Sequence, residues 1–134
     1  MTKILILDND REMQVLLKVG LEREGYSPVI AADHLNALQT LPTGQYSLFI
    51  FRAETSFDAA WEFYCALKSN PALPTTGVLM LLRYPMFTEE NANKLRQLLK
   101  NGDEYMNYPY IMTELLGRVR NVWDQYGHPL PKGE

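Results

Sequence analysis

The chain has 134 residues, of which 46% are hydrophobic and 22% are charged, and its formal net charge is −3 at pH 7. This composition is typical of a single globular domain, and it excludes a disordered or low-complexity chain. The chain has no basic block and no apolar run of membrane length, so we expect neither non-specific nucleic-acid binding nor a membrane span. The single cysteine, Cys65, cannot form an internal disulfide, and we expect it to be buried in a helix of a cytoplasmic protein.

Apolar runs predict the β-strands. These strands cover residues 3–7, 26–31, 46–52, 78–82 and 104–106. The run 46–52 is nearly continuous in apolar and aromatic residues, which is typical of a central parallel strand that is covered on both faces. Pro28 cannot donate a ladder hydrogen bond, so it favours an edge or strand-start position for the second strand.

Amphipathic segments alternate with these strands and predict the helices. A helix follows each strand, with Asp33, Asp58 and Thr88 as expected caps, Gly25 and the segment Pro42-Thr43-Gly44 as end signals, and Pro109 ahead of the last helix. The expected inward positions are Met13, Leu16, Leu17, Gly20 and Leu21; Leu35, Leu38 and Leu41; Phe57, Trp61, Tyr64 and Leu67; Ala92, Leu95, Leu98 and Leu99; and Ile111, Leu115, Val119 and Val122.

The alternation predicts an α/β fold, a doubly wound (βα)5 flavodoxin-like three-layer sandwich. Short right-handed crossovers favour a five-stranded parallel sheet in the order 2-1-3-4-5. We expect one domain over residues 1–124, with residues 125–134 as a tail or linker stub. Ligands of such sheets bind at the carboxyl ends of the strands, where Asp8, Asn9 and Arg52 are expected to lie.

Several ordered segments resemble a known family. They are the apolar strand that ends in Asp8-Asn9-Asp10, the central strand, the connector 67–73, the segment 101–110 and the helix segment 114–120. Together they make the chain, from about residue 3 to residue 123, similar to a response-regulator receiver domain, the phosphoacceptor half of two-component signalling. The resemblance also implies a cis peptide bond before Pro109.

The resemblance implies a site whose chemical groups are largely replaced here. In the family, a carboxylate ends the third strand, acids after the first strand hold Mg²⁺, a hydroxyl with a small neighbour follows the fourth strand and a lysine follows the fifth. The matching positions hold Arg52 for the carboxylate, Asp8 and Asn9 for the acids, Leu82 and Arg83 for the hydroxyl and its neighbour, and Tyr108 for the lysine. We therefore expect a degenerate phosphorylation site, no bound cofactor or metal, and no enzymatic activity.

Three alternatives concern the charges at this site. Arg52 pairs with Asp8 or with Asp10, or it extends into solvent, or it binds an anion together with Arg83. A different phosphoacceptor in the following loop is a further alternative. Its candidate residues, which we expect instead to be caps or solvated residues, are Glu54, Thr55, Ser56 and Asp58.

The resemblance also implies an interaction surface on the fourth helix, fifth strand and fifth helix. Its candidate residues are Lys94, Gln97, Asn101, Asp103, Glu104, Tyr105, Arg118 and Arg120. Tyr105 matches the family's switch aromatic, and the alternative is a half-exposed residue that packs against the last helix. An ordinary solvated surface is the alternative for the whole set.

These observations predict a phosphorylation-independent protein-interaction module in signal transduction. Its expected partners are proteins, with a homodimer through the last helix–strand–helix surface as one form, and with no direct nucleic-acid binding by this domain. The alternative is a truncated receiver domain of a larger DNA-binding or kinase-linked regulator that mainly mediates dimerisation.

Overall fold

The fold is an alternation of strands and helices along the chain. The computed structural model describes residues 3–53, 56–73, 75–83, 86 and 88–131. In chain order the elements are β1 (Lys3–Leu7), α1 (Arg11–Arg23), β2 (Ser27–Ile30), α2 (His34–Gly44), β3 (Leu48–Arg52), α3 (Phe57–Lys68), β4 (Gly77–Arg83), α4 (Glu89–Leu98), β5 (Glu104–Tyr108) and α5 (Met112–Gln125). None of the described helices combines the length and the apolar character that crossing a bilayer requires.

One parallel sheet carries the strands in the order β2-β1-β3-β4-β5, which confirms the predicted fold class. Pro28 lies in the edge strand β2, where its missing N–H leaves no gap in an inner ladder. Every residue of the central strand β3 is buried, as its apolar sequence predicts. One hydrophobic cluster lies between the sheet and α2, α3 and α4, and a second lies between the sheet and α1 and α5.

Side-chain caps fix the starts of four helices. Asp33 and Thr88 cap α2 and α4 as predicted, and Asp10 caps α1. The prediction for α3 was wrong, because the hydroxyl of Ser56 accepts the capping hydrogen bond and Asp58 lies exposed in the first turn. Helix α2 includes Pro42 and ends at Gly44, the last residue of the predicted end signal.

Five predicted buried positions are exposed instead. Leu16 is 53% exposed, Leu35 63%, Leu98 52% and Ile111 69%, and the side chain of Cys65 is also exposed. Each helix touches the sheet along one narrow line, so apolar residues at the border of the 3.6-residue stripe turn outward. The sequence pattern therefore predicted a wider buried stripe on these helices than the structure has.

A buried polar network lies at the amino edge of the sheet around Asp103, which is only 8% exposed. The backbone N–H of Val78 and the hydroxyl of Tyr126 donate to Oδ1 of Asp103 at 2.9 and 2.5 Å. The hydroxyl of Tyr64 donates to Oδ2 at 2.6 Å, and Nζ of Lys68 lies 2.9 Å from the same oxygen. Asp103 was predicted as a surface interaction residue, and this prediction was wrong because the carboxylate binds groups of three helices and strands inside the fold.

The residues after α5 pack back against the domain as far as Leu130. The indole N–H of Trp123 donates to the carbonyl oxygen of Pro129 at 2.9 Å, and Nε2 of His128 lies 2.8 Å from the carbonyl oxygen of Thr75. Leu130 packs against the α1 and α5 hydrophobic cluster. The residues from 126 to 130 thus contact the domain, and a domain boundary after residue 124 stays a prediction.

Alkaline titration tests the buried network. Burial raises the pKa of Tyr64 and Tyr126, and the hydrogen bonds to Asp103 raise it further. Because the folded pKa is raised, these hydroxyls contribute stability that is fully present below the unfolded tyrosine pKa of about 10 and is lost as the pH rises above it. We expect tyrosinate absorbance from these groups to appear only together with loss of the circular dichroism signal. If all eight tyrosines ionised near pH 10 while the fold stayed intact, the network would be contradicted.

Candidate functional site

The carboxyl edge of the sheet gathers the residues that the sequence singled out. Asp8 and Asn9 follow β1, Arg52 ends β3, and Tyr108 ends β5. All the strands are parallel, so these strand ends lie at the same edge. Arg83, the last residue of β4, is paired with Tyr108 in the sheet register.

Arg52 points into this edge and is only 8% exposed. Its Nη1 lies 3.5 Å from Oδ1 of Asp8, and its Nη2 donates to Oδ1 of Asn9 at 2.6 Å. The guanidinium carbon lies 4.5 Å from the centre of the Tyr108 ring. The guanidinium therefore contacts an acid, an amide and an aromatic face inside the site, and the alternative of a solvated Arg52 is wrong.

Among the described residues, Asp8, which is 2% exposed, supplies the carboxylate that pairs with Arg52. Oδ1 of Asp8 also accepts the backbone N–H of Asp10 at 2.9 Å. Asp10 itself caps α1, since its Oδ1 accepts the backbone N–H groups of Glu12 and Met13 at 3.0 and 3.4 Å. The two acids thus have separate roles, one in the ion pair and one at the helix start.

Burial makes this ion pair a strong constraint. Removing one partner of a buried pair leaves an uncompensated charge and costs about 3–5 kcal/mol. A guanidinium over an aromatic ring adds about 0.5–2 kcal/mol when it is shielded from water. The Arg52 side chain therefore holds the ends of β1, β3 and β5 in one arrangement.

Asn9 and Tyr108 were predicted as remnants of the family site, and the roles that they have here were missed. Asn9 accepts a hydrogen bond from Arg52, and Tyr108 supplies the ring beneath the guanidinium. Tyr110 was also missed; its ring contacts that of Tyr108 edge-on, with the ring centres 5.8 Å apart. Burial and the nearby Asp8 charge raise the pKa of the Tyr110 hydroxyl. Their positions at strand ends were the available signal, but side-chain direction could not be read from the sequence.

The remaining candidates lie apart from the Arg52 contacts. Leu82 is fully buried in the hydrophobic cluster beneath α2, α3 and α4, so its side chain belongs to the core rather than to the sheet-edge site. Arg83 is exposed at the end of β4, whereas Arg52 is buried against Asp8. The two arginines therefore do not form a common anion-binding site. Ser56 is a helix cap and Asp58 is exposed. Glu54 and Thr55 lie outside the described residues.

The residues at this edge do not fit the magnesium ion that the resemblance implies. Mg²⁺ requires several oxygen ligands in octahedral geometry. A guanidinium lies against the oxygens of both Asp8 and Asn9, and it repels a divalent cation. Within the described ranges, no group of three or more His, Cys, Asp or Glu residues is placed to hold a metal ion.

The predicted interaction surface is partly assembled beside α4 and α5. Nη1 of Arg118 lies 3.3 Å from Oε1 of Glu104 and donates to the carbonyl oxygen of Tyr105 at 3.2 Å. Arg96, which the sequence analysis missed, donates to the hydroxyl of Tyr105 at 3.2 Å. Tyr105 is half-exposed, as the alternative to the switch role expected, and it packs against the hydrophobic cluster beneath α2, α3 and α4, while Arg118 of α5 binds its carbonyl oxygen.

Two further residues predicted for this surface lie elsewhere. Nζ of Lys94 lies 5.4 Å from the ring centre of Phe57 and 5.5 Å from that of Trp61, so Lys94 packs across α3. Arg120 is exposed on α5, on the side of the sheet that α1 covers. Its positive charge partly offsets the rise that burial causes in the pKa of Tyr26. The Tyr108–Pro109 peptide bond is cis, as the resemblance implied.

Comparison with known proteins places the fold among receiver domains. The chain is 27% identical over 126 residues to the transcriptional regulatory protein PcoR of Escherichia coli, covering 91% of this chain and 51% of that protein. It superposes on the N-terminal domain of a response regulator receiver protein from Methanoculleus marisnigri JR1 with a TM-score of 0.65 and 26% identity, covering 90% and 94% of the two chains. The TM-score against the chemotaxis response regulator CheY4 of Vibrio cholerae is 0.75, at 20% identity and with 91% and 98% covered.

These similarities support a response-regulator receiver domain and confirm the flavodoxin-like fold. No protein-family model matches the chain. The chain spans about half the length of the curated relatives it matches.

Replacing Arg52 tests the buried ion pair. Arg52→Met keeps an apolar stem but leaves Asp8 buried without its cation, so we expect the free energy of unfolding at neutral pH to fall by about 3–5 kcal/mol. Urea unfolding measures the change, and Arg83→Met, which removes an exposed arginine at the same sheet edge, is the matched control with an expected change within about 0.5 kcal/mol. A loss of less than about 1 kcal/mol for Arg52→Met would contradict a buried pair.

Proposed function

We propose that this chain is a degenerate receiver domain that works as a phosphorylation-independent protein-interaction module. The observation that carries the proposal is the Arg52–Asp8 ion pair at 3.5 Å, at the position where the resemblance expects a phosphoacceptor carboxylate. In this proposal the domain catalyses no reaction, and it conveys a signal through its partners.

The side chains at the sheet edge support this proposal chemically. A guanidinium stays protonated at any physiological pH, so Arg52 has no lone pair with which to attack phosphorus. Phosphoryl transfer depends on positioned charges and a metal ion around the phosphoryl oxygens. Leu82 offers no hydroxyl, and the ring of Tyr108 lies against Arg52 where an amine would be needed.

The constant arrangement of the site supports signalling by binding alone. Since Arg52 joins the ends of β1, β3 and β5 through contacts with Asp8, Asn9 and Tyr108, the edge is held without a phosphoryl group. A domain fixed in this way presents its surfaces to partners continuously. Its regulation would then come from the amount of protein or from the partner.

The surface proposed for protein partners lies between α4 and the β5–α5 pair. A groove of about 540 Å³ there is lined by Arg96, Glu104, Tyr105, Glu114 and Arg118, among other residues. Mixed charges around an aromatic residue favour a specific polar protein partner over a membrane surface or nucleic acid. A homodimer through this surface is one form of the proposal.

The length comparison favours a second candidate function. The chain covers 51% of PcoR, which is described as a transcriptional regulatory protein. In this second proposal the chain is the receiver part of a larger regulator, DNA-binding or kinase-linked, and mainly mediates dimerisation. The length of the full gene distinguishes it from the first candidate.

Treatment with a small phosphodonor tests the proposed loss of phosphorylation. After incubation with acetyl phosphate and Mg²⁺, we expect the intact mass of the wild-type protein to stay unchanged, because neither a nucleophilic carboxylate nor a metal site is available at residue 52. An adduct of about 80 Da, the mass of one phosphoryl group, would contradict the proposal.

The variant Arg52→Asp is the matched control for this test. It removes the guanidinium and places a carboxylate beside Asp8, which together favour an oxygen-ligand Mg²⁺ site. We expect calorimetry to detect Mg²⁺ binding to Arg52→Asp and none to the wild type. Equal binding to both proteins would show that Arg52 does not exclude the ion.

A further inference from the structure

Helix α1 carries an exposed apolar cluster that the proposed function does not use. Val15 is 59% exposed, Leu16 53% and Val19 44%. The other exposed large apolar residues of the described surface are scattered singly over different elements. Three such residues on one helix form a contiguous patch, and patches of this kind mark interaction surfaces. Leu17 and Leu21 of the same helix are fully buried against the sheet, so the exposed cluster lies on the opposite side.

The patch lies within a stripe that has charged ends. Glu12, Leu16, Val19 and Arg23 follow one another at spacings of four, three and four residues. These spacings place the four side chains in one line along the helix, the pattern of the contact line in coiled coils. An acid begins the line, two apolar residues lie in its middle, and a base ends it.

We propose that α1 binds α1 of a second copy of this chain in an antiparallel arrangement around a two-fold axis. Leu16 of each copy contacts Val19 of the other, and Glu12 of each copy pairs with Arg23 of the other. The axis passes between residues 17 and 18, so every contact occurs twice. Val15 borders this line and extends its apolar centre.

The charge order of the stripe points to a second copy as the occupant. Antiparallel packing brings each acid to a base, whereas parallel packing would put Glu12 against Glu12 and Arg23 against Arg23. Among the described residues, neither Glu12 nor Arg23 forms an ion pair within its own chain, so both charges face outward for a partner.

The contact is small, and the predicted dimer is correspondingly weak. Helix α1 has 13 residues and is about 20 Å long, which makes this a contact at the low end of specific interfaces. We expect a dissociation constant on the order of 100 µM. The α4–β5–α5 groove lies on other elements, so a dimer through α1 leaves Tyr105 and Arg118 accessible to a different partner.

Charge exchange tests this arrangement by sedimentation velocity over a concentration series. We expect a concentration-dependent dimer for the wild type, and Glu12→Arg and Arg23→Glu should each weaken it about fivefold to tenfold, since two attractive pairs become repulsive. The double variant Glu12→Arg with Arg23→Glu restores opposite charges, so its dissociation constant should return to within about twofold of the wild type. Leu16→Glu should abolish the dimer by placing acids in its apolar centre.

Arg118→Glu is the matched control, because it reverses an arginine on the other proposed surface. It should leave the dissociation constant unchanged. A monomeric wild type at several hundred micromolar, a double variant as weak as the single ones, or a dimer lost through Arg118→Glu alone would overturn the proposal. If Leu16→Glu does not fold, the three charge variants still decide it. None of these results depends on phosphate chemistry, so a failure here leaves the proposed function standing, and the reverse also holds.

Discussion

The buried guanidinium of Arg52 is the constraint on which the rest of this structure depends. A charge that is 8% exposed at the end of a central strand must be compensated locally, and Asp8, Asn9 and Tyr108 provide that compensation. Asp8 and Asn9 follow β1, Tyr108 ends β5 and Arg52 itself ends β3, so the charge also fixes the relative positions of three strand ends. The sheet edge where flavodoxin-like proteins usually bind ligands is therefore occupied by the protein's own side chains.

The two ends of the sheet are held in a similar way. At the carboxyl edge Arg52 meets Asp8, and at the amino edge Lys68 meets Asp103 at 2.9 Å with two tyrosine hydroxyls on the same carboxylate. In each case one cation links elements that are distant in sequence and encloses a carboxylate that burial would otherwise destabilise. The α1 stripe and the groove beside Tyr105 are both exposed, and they are the surfaces on which the two binding proposals rest.

The fold could be predicted almost completely from the sequence, because apolar runs and helix caps are local signals. The strand order, the buried central strand and two of the three named caps agree with the structure. The exposure of Leu16 and Leu98 could not be predicted, since a helix stripe does not reveal where contact with the sheet ends. Asp103 was misplaced because its partners are distant in sequence, and the roles of Asn9 and Tyr108 depend on side-chain directions that only the folded strands define.

A double-mutant cycle between Asp8 and Arg52 tests the central claim most directly. Asp8→Asn, Arg52→Met and their combination are compared with the wild type by urea unfolding at neutral pH. Because the two side chains form one buried pair, we expect a coupling free energy of at least about 1 kcal/mol, with the double variant more stable than the Arg52→Met single variant. Additive effects within about 0.5 kcal/mol would contradict the pair, and with it the account of a receiver edge held by its own guanidinium.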